Sequence, residues 1–329
     1  MASPLEQKIC HLAEANDQLT YAEFVDAALY DCEHGYYKKS QSRVGKDAET
    51  DFYTSYSLGP LFGKLVTEAC INLLGEAEAS EYNFVEIAAE PEEGILQGIQ
   101  HPFSKVRILR LGDPIEIDGP AIVFANEWLD AQPFNRIRFR EGSWRELGVK
   151  SEGTRFEETE LPKVSPTAQN YLKRLPNSYS EGYKIDLPTG AESALLDIMT
   201  QPWHGLFLTL DYGKTLAELL EICPEGTARA YYRHQQSEEL LSRPGEQDLT
   251  CHLCWDWIED ILKKQNFINT RLLRQESLFM RYSQETIRSV TESNNSEDKG
   301  RLKELLHPAY LGLKFQALHG HRLAPQKDH

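Results

Sequence analysis

The sequence predicts an α/β fold with a mostly parallel sheet, and three features predict it. Short apolar runs recur at Tyr82 to Ala88, Val106 to Leu111, Ala121 to Ala125 and His204 to Leu210. They are mostly apolar, and Ala121 to Ala125 is apolar at consecutive rather than alternate positions, the pattern of a strand buried on both faces. Three of them end in small or polar residues, at Ala88-Ala89, Asn126-Glu127 and Asp211-Tyr212-Gly213, which suits strands running into turns. Around these runs lie stretches with the 3.6-residue period of helices.

In chain order, Leu5 to Ala15 and Tyr21 to Leu29 read as helices, the second opened by a capping box of Thr20 and Glu23. Asp31 to Ser57 reads as loop. A third helix follows from Leu58 to Leu74 and stops at Gly75. After the first apolar run, Gly94-Ile-Leu-Gln-Gly-Ile suits the start of a helix. Strand-like alternation at Arg136 to Phe139 precedes a polar segment, Glu141 to Gln201, read as a hairpin with an inserted helical piece. Downstream, Thr227 to Tyr232, Leu249 to Cys254 and Leu272 to Gln275 suit strands around a helix at Trp255 to Gln265. Ser293 to Lys299 reads as a solvated loop before a last helix. The expected division is an N-terminal helical segment with a covering loop, 1–75, then a sheet domain, 76–329, carrying the insertion at 141–201.

The chain has 329 residues, 40% of them hydrophobic, enough for a sizeable core. No stretch approaches the roughly 18 apolar residues of a membrane span. Met1 to His11 shows neither a signal nor a transit pattern, so a cytoplasmic protein is expected. The net charge of -16 opposes binding to a phosphate backbone and favours a partner with a basic site. Six scattered cysteines are too sparse for a disulfide scaffold. Cys251-His-Leu-Cys254 resembles half of a zinc site but has no second pair, and on a strand its two thiols would face opposite ways, so no metal is expected.

In an open parallel sheet, ligands sit beyond the carboxyl ends of the strands. That rule selects Glu86 to Gly94, Asn126 to Pro133 and Asp211 to Gly213. Taken with other pieces in order, these clusters resemble the MidA family of S-adenosylmethionine-dependent methyltransferases, whose mitochondrial members assist respiratory complex I assembly. The pieces include Gly35-Tyr36-Tyr37, Asp51-Phe52-Tyr53-Thr54-Ser55, Val85-Glu86-Ile87, Asn126-Glu127 with Asp130 and Pro133, and Asp211-Tyr212-Gly213. Gly226-Thr227-Ala-Arg229-Ala-Tyr231 with His234, and Pro244-Gly245 with Asp248, Thr250 and His252, follow. Leu306-His-Pro308 with Gly312-Leu-Lys314-Phe315 resembles the family's closing helix.

The resemblance implies a Rossmann-like class I methyltransferase sheet, S-adenosyl-L-methionine as cofactor and an arginine nitrogen of a protein partner as acceptor. It casts Asn126, Glu127, Asp130 and Asp211 as the catalytic group, because carboxylates hold a planar guanidinium bidentately and stabilise the charge it gains. Asp51, Phe52, Thr54 and Ser55 would cover the cofactor, with Glu86, Ala88, Glu90 and Gly94 forming its loop and Asp113 offering an acid to the ribose. A plainer reading has Asn126 and Asp130 capping a helix that begins near Trp128.

The loop departs from the family pattern E-x-G-x-G-x-G. Here it reads Glu86-Ile-Ala88-Ala-Glu90-Pro-Glu92-Glu93-Gly94, with all three glycine positions changed and carboxylates added near the place of the cofactor's own carboxylate. Only the 26 residues at positions 95–120 separate Gly94 from Ala121, room for one short helix and one strand. Both features leave open a catalytically inactive binding or assembly protein, or a pocket for another small molecule.

Overall fold

The computed structural model describes residues 2–38, 59–87, 94–153, 155–233 and 235–324. The chain divides into two compact units. One comprises Tyr53–Trp128, Leu195–Gly213 and Trp257–His329, and the other Met1–Phe52, Leu129–Ala194 and Lys214–Asp256.

The first unit is built on a six-stranded sheet. Its strands are β1 (Asn83–Ile87), β2 (Lys105–Leu109), β3 (Gly119–Asn126), β4 (Trp203–Asp211), β5 (Phe267–Arg274) and β6 (Gln316–Arg322), in the order β5-β6-β4-β3-β1-β2. β1 to β4 are mutually parallel, while β6 runs antiparallel to both β4 and β5. The consecutive apolar residues of β3 and β4 serve both faces, with Ile122, Phe124, Leu206 and Leu208 buried on one and Val123 and Phe207 on the other. Against one face packs the helix Pro60–Leu74, which ends at Gly75 as its sequence predicts but starts at Pro60 rather than Leu58, on a residue suited to a first helical turn. Phe84 stacks between Phe103 and Phe124 at 5.2 and 5.8 Å, and Phe62 meets Phe124 at 6.4 Å. Burying each such ring contributes about 2–3 kcal/mol. β4 approaches β3 closely at Gly205, whose φ is +126°. A Cβ there would lie 2.3 Å from the Ala121 carbonyl oxygen.

Several expected elements come out differently. The segment after Gly94 is a pair of turns rather than a helix, with Gln97 N–H donating to Gly94 and Ile99 N–H to Leu96. Gly98, at φ +69°, turns the chain out of helical geometry. On this side the sheet ends at β2, in keeping with the short connection between Gly94 and Ala121. Half of the expected loop at Ser293 to Lys299 is helix. The helix Ser296–Leu306 begins at Asn295, whose side chain accepts from the N–H groups of Glu297 and Asp298. Residues 307–314 then form turns leading into β6, so Leu306 to Phe315 is not a closing helix.

The second unit begins with the helices Pro4–Asn16 and Tyr21–Tyr30, each with a complete capping box. Its main sheet is antiparallel: Leu19–Thr20, Ser143–Glu152, Asn135–Arg140 and Lys184–Leu187 in order, with Arg155–Glu160 also paired to Ser143–Glu152. Gln235–Ser237, Arg229–Tyr232 and Asp248–Thr250 form a smaller sheet. The polar segment 141–201 thus contains the expected hairpin and helices, but strands give it its framework.

Candidate functional site

In the first unit β1, β3 and β4 finish at one edge of the sheet, with Ile87 opposite Ala125 and Asn126 opposite Leu210. Glu86, one residue before the end of β1, is 4% exposed, and its Oε2 accepts the Ile95 N–H at 2.9 Å. Its carboxylate therefore ties the end of β1 to the point where the glycine-loop segment returns. Gly94 makes the return possible, since a Cβ there would lie 2.6 Å from Glu86 Oε2. Burial pushes the Glu86 carboxyl up to about 7 from an ordinary 4.5, against the opposing pull of the Ile95 N–H.

That shift has a stability consequence. The folded-state value lies above the unfolded one, so the contribution is complete below about pH 4.5 and is lost as pH rises through about 7. Glu86→Gln keeps an oxygen for Ile95 but cannot ionise. Its stability relative to wild type is expected to climb between pH 4.5 and 7, by on the order of 2–3 kcal/mol in urea unfolding. His319 works in the opposite sense. Burial holds it down at about 4 from an ordinary 6.5, so its contribution is complete above pH 6.5 and fades as pH falls toward 4. Both proteins share that trend, so it cancels in the comparison.

At the end of β3 the backbone turns sharply. Glu127 has φ +49°, a left-handed conformation that a glutamate adopts at a cost of about 1–3 kcal/mol. Its N–H donates to the Leu210 carbonyl at 2.9 Å, and its Oε1 accepts from Asn126 Nδ2 at 3.1 Å. Asp211, fully buried at the end of β4, accepts the Trp128 N–H on Oδ2 at 3.3 Å and the Tyr212 N–H on Oδ1 at 2.8 Å. Tyr212 in turn packs on Phe315, ring centres 4.2 Å apart. Asn126, Glu127 and Asp211 are thus brought together. No helix begins at Trp128: residues 127–132 are bends and turns, so the capping reading of Asn126 and Asp130 fails for want of a helix. Asp113 lies in the turn after β2 and accepts the Arg110 N–H on Oδ2 at 2.9 Å.

Asp130 belongs to the second unit, where it is 5% exposed and its backbone carbonyl accepts the Cys251 N–H. Asp248, 3% exposed, accepts the Tyr37 hydroxyl at 3.0 Å. Tyr37 stacks on Tyr30, whose own hydroxyl donates to the Ala131 carbonyl. Burial raises the Tyr231 hydroxyl above its usual range, and the negative charges of Asp130 and Asp248 add to the effect. Two carboxylates and a set of tyrosines therefore share one neighbourhood. Asp248 was not among the expected site residues, although it stands in the Pro244-Gly245 to His252 stretch that carried part of the resemblance. The expected cofactor residues Asp51, Phe52, Thr54, Ser55, Ala88 and Glu90 lie outside the described residues.

A parallel sheet with an antiparallel β6 slotted beside β4, and polar residues gathered at the carboxyl ends of β1, β3 and β4, define a Rossmann-like class I methyltransferase fold. Residues 59–272 match the family described as putative S-adenosyl-L-methionine-dependent methyltransferase, and the chain belongs to that family. Its fold is similar to that of a Burkholderia thailandensis protein crystallised with S-adenosyl-homocysteine. The TM-score is 0.83 at 18% identity, over 97% of this chain and 92% of that one. A native crystal structure from the same organism gives a TM-score of 0.79, also at 18% identity, over 97% and 91% of the two chains. The protein arginine methyltransferase NDUFAF7 homolog, mitochondrial, of Drosophila melanogaster is 23% identical over 212 residues, 61% of this chain and 47% of that protein. The chain thus spans about half the length of that curated relative. Together these findings bear out the resemblance to the MidA family. Among the described residues no helix is long and apolar enough to cross a membrane.

Proposed function

We propose that the protein binds S-adenosyl-L-methionine at the carboxyl edge of β1, β3 and β4 and transfers its methyl group to an arginine nitrogen of a protein partner. The observation that carries this reading is Asn126, Glu127 and Asp211 braced together at that edge, in a chain of a methyltransferase family. The described residues fit the cofactor. The Asn126 amide oxygen is buried without a partner among them, and Gly94 lets the chain pass close to Glu86 and Ile108 where a Cβ would collide with both. Glu86 and Gly94 would hold the cofactor's methionine side, and Asp113 would serve the ribose through its second oxygen.

When bound, the cofactor supplies an electrophilic methyl group on a sulfonium, and transfer is an in-line displacement in which position counts most. Asn126 and Glu127 orient the acceptor, while Asp211 fixes the backbone that carries them. Carboxylates suit a guanidinium, which they meet through paired hydrogen bonds. The name of the Drosophila relative supports arginine as the acceptor, and the acidic balance of the chain supports a basic site on the partner.

Calorimetric titration with S-adenosylhomocysteine tests the reading, with saturable binding expected at micromolar to millimolar ligand. No heat at millimolar concentration would overturn it and favour a binding or assembly protein that keeps only the fold.

A further inference from the structure

Asn126 is the one member of the group at the sheet edge with a buried polar atom left unmet among the described residues. The groups around it are engaged. Its Nδ2 donates to Glu127 Oε1 at 3.1 Å, the Glu127 N–H is taken by Leu210, and Asp211 accepts from both Trp128 and Tyr212. An amide can in principle be turned end for end, but the reverse orientation would set its oxygen against a carboxylate oxygen. Glu127 therefore decides which end of Asn126 is left to look for a donor. The left-handed turn at Glu127 and the Asp211 brace behind it hold the two side chains in that relation. A buried acceptor without a donor is costly, and a ligand that brings a donor removes that cost.

We propose that Asn126 Oδ1 accepts a hydrogen from the nitrogen that receives the methyl group. Glu127 is then a positioning residue that acts through Asn126 rather than on the substrate. The assignment rests on the cofactor reading above and changes the part given to Glu127, which the resemblance casts as a direct guanidinium ligand. In chemical terms, the nitrogen keeps one hydrogen on Asn126 and points its lone pair at the methyl carbon. The N–C bond forms as the C–S bond breaks, the electron pair stays on sulfur, and the surplus proton leaves the nitrogen for water. The carbonyl dipole of Asn126 faces the positive charge that the nitrogen gains. The class of acceptor is accordingly a nitrogen that still carries hydrogen, as each terminal nitrogen of a guanidinium does.

A test that needs no substrate compares two cofactor analogues by calorimetry. Sinefungin carries an amine where the methyl group would sit, and S-adenosylhomocysteine has nothing there. Wild type is expected to favour sinefungin by about tenfold, because the amine supplies the missing donor. Glu127→Ala frees the amide to turn, and the preference should fall to about twofold or less while S-adenosylhomocysteine binds as before. Glu127→Gln offers the same oxygen to Nδ2 without the charge and should keep the preference. If Glu127 instead attracts the amine through its own charge, the glutamine and alanine variants lose the preference alike, and the assignment is overturned. Equal binding of the two analogues by wild type also overturns it, while leaving cofactor binding intact. Failure of wild type to bind either one overturns the cofactor reading itself. Should Glu127→Ala not fold, wild type against Glu127→Gln decides the matter.

Discussion

Replacing Asp186 by alanine is expected to lower the stability of the second unit by about 3–5 kcal/mol, the cost of leaving a buried charge without its partner. Asp186 has no exposed side-chain surface, and Arg136 only 8%. Arg136 Nε meets Asp186 Oδ1 at 2.7 Å, while Asp186 Oδ2 also accepts the N–H groups of Thr227 and Ala228. The guanidinium further donates to the Glu225 carbonyl and lies over the Tyr21 ring at 5.3 Å, and Tyr21 donates to Glu158, a second carboxylate near Arg136. Alanine at 186 removes every acceptor that its carboxylate supplies, so an arginine and two backbone donors lose their partner at once. The guanidinium cannot escape by losing its proton, because arginine stays charged in proteins, and Glu158 at 3.6 Å is left as its one carboxylate neighbour among those named. The double change Asp186→Leu with Arg136→Met should recover most of the loss, since apolar groups of like volume need no partners. Urea unfolding measures both. A drop under 1 kcal/mol for Asp186→Ala would show that water replaces the carboxylate, and the network would not hold the unit together.

That network also shows why part of the fold was illegible in the sequence. The two central parallel strands announce themselves because both faces are buried: Ala121 to Ala125 is apolar throughout, and Leu206 to Leu210 is interrupted only by Thr209. In the second unit the strands are lined with charge. Arg155–Glu160 alternates nothing apolar that the eye can follow, and it is matched by ion pairs such as Arg140 with Glu160 and Lys150 with Glu157. Buried charges such as Arg136 and Asp186 read as surface residues until their partners, 50 positions apart, are brought together. β6 was missed for a related reason. Gln316–Arg322 contains two histidines, a glycine and an arginine, yet it lies between β4 and β5, and His319 is buried there.

The site was legible in its parts and not in its joints. The rule that ligands lie past the carboxyl ends of parallel strands found Glu86, Asn126 and Asp211 correctly as strand-end residues. It said nothing of what each holds. Glu86 takes a backbone N–H from nine residues on, beyond its own strand's loop, and Asp211 takes one from the segment that follows β3; such bonds leave no trace in local sequence. Nor could spacing reveal that Asn126 and Glu127 bond to each other across a left-handed turn, since no glycine marks the position.

Asp211→Asn should therefore act more like a misplaced hinge than like a lost reactant. The wild-type carboxylate offers one oxygen to Trp128 and the other to Tyr212. Asparagine has a single acceptor oxygen, so its NH2 group must face one of these N–H donors, leaving a buried donor unmet at a cost of about 1–3 kcal/mol. Loss of the Trp128 bond frees the turn that holds Glu127 at φ +49°, a strained conformation that relaxes once its brace is gone. Asn126 and Glu127 then drift from the acceptor, and a shift on the order of 1 Å lowers methyl transfer about 100-fold. The measurements are methyl transfer from labelled S-adenosylmethionine to an arginine-containing basic peptide, and urea unfolding. Both should fall, with the turnover number affected far more than the Michaelis constant for the cofactor. A variant that loses turnover with unchanged stability would instead make Asp211 a direct participant, because a brace cannot be removed without weakening what it braces.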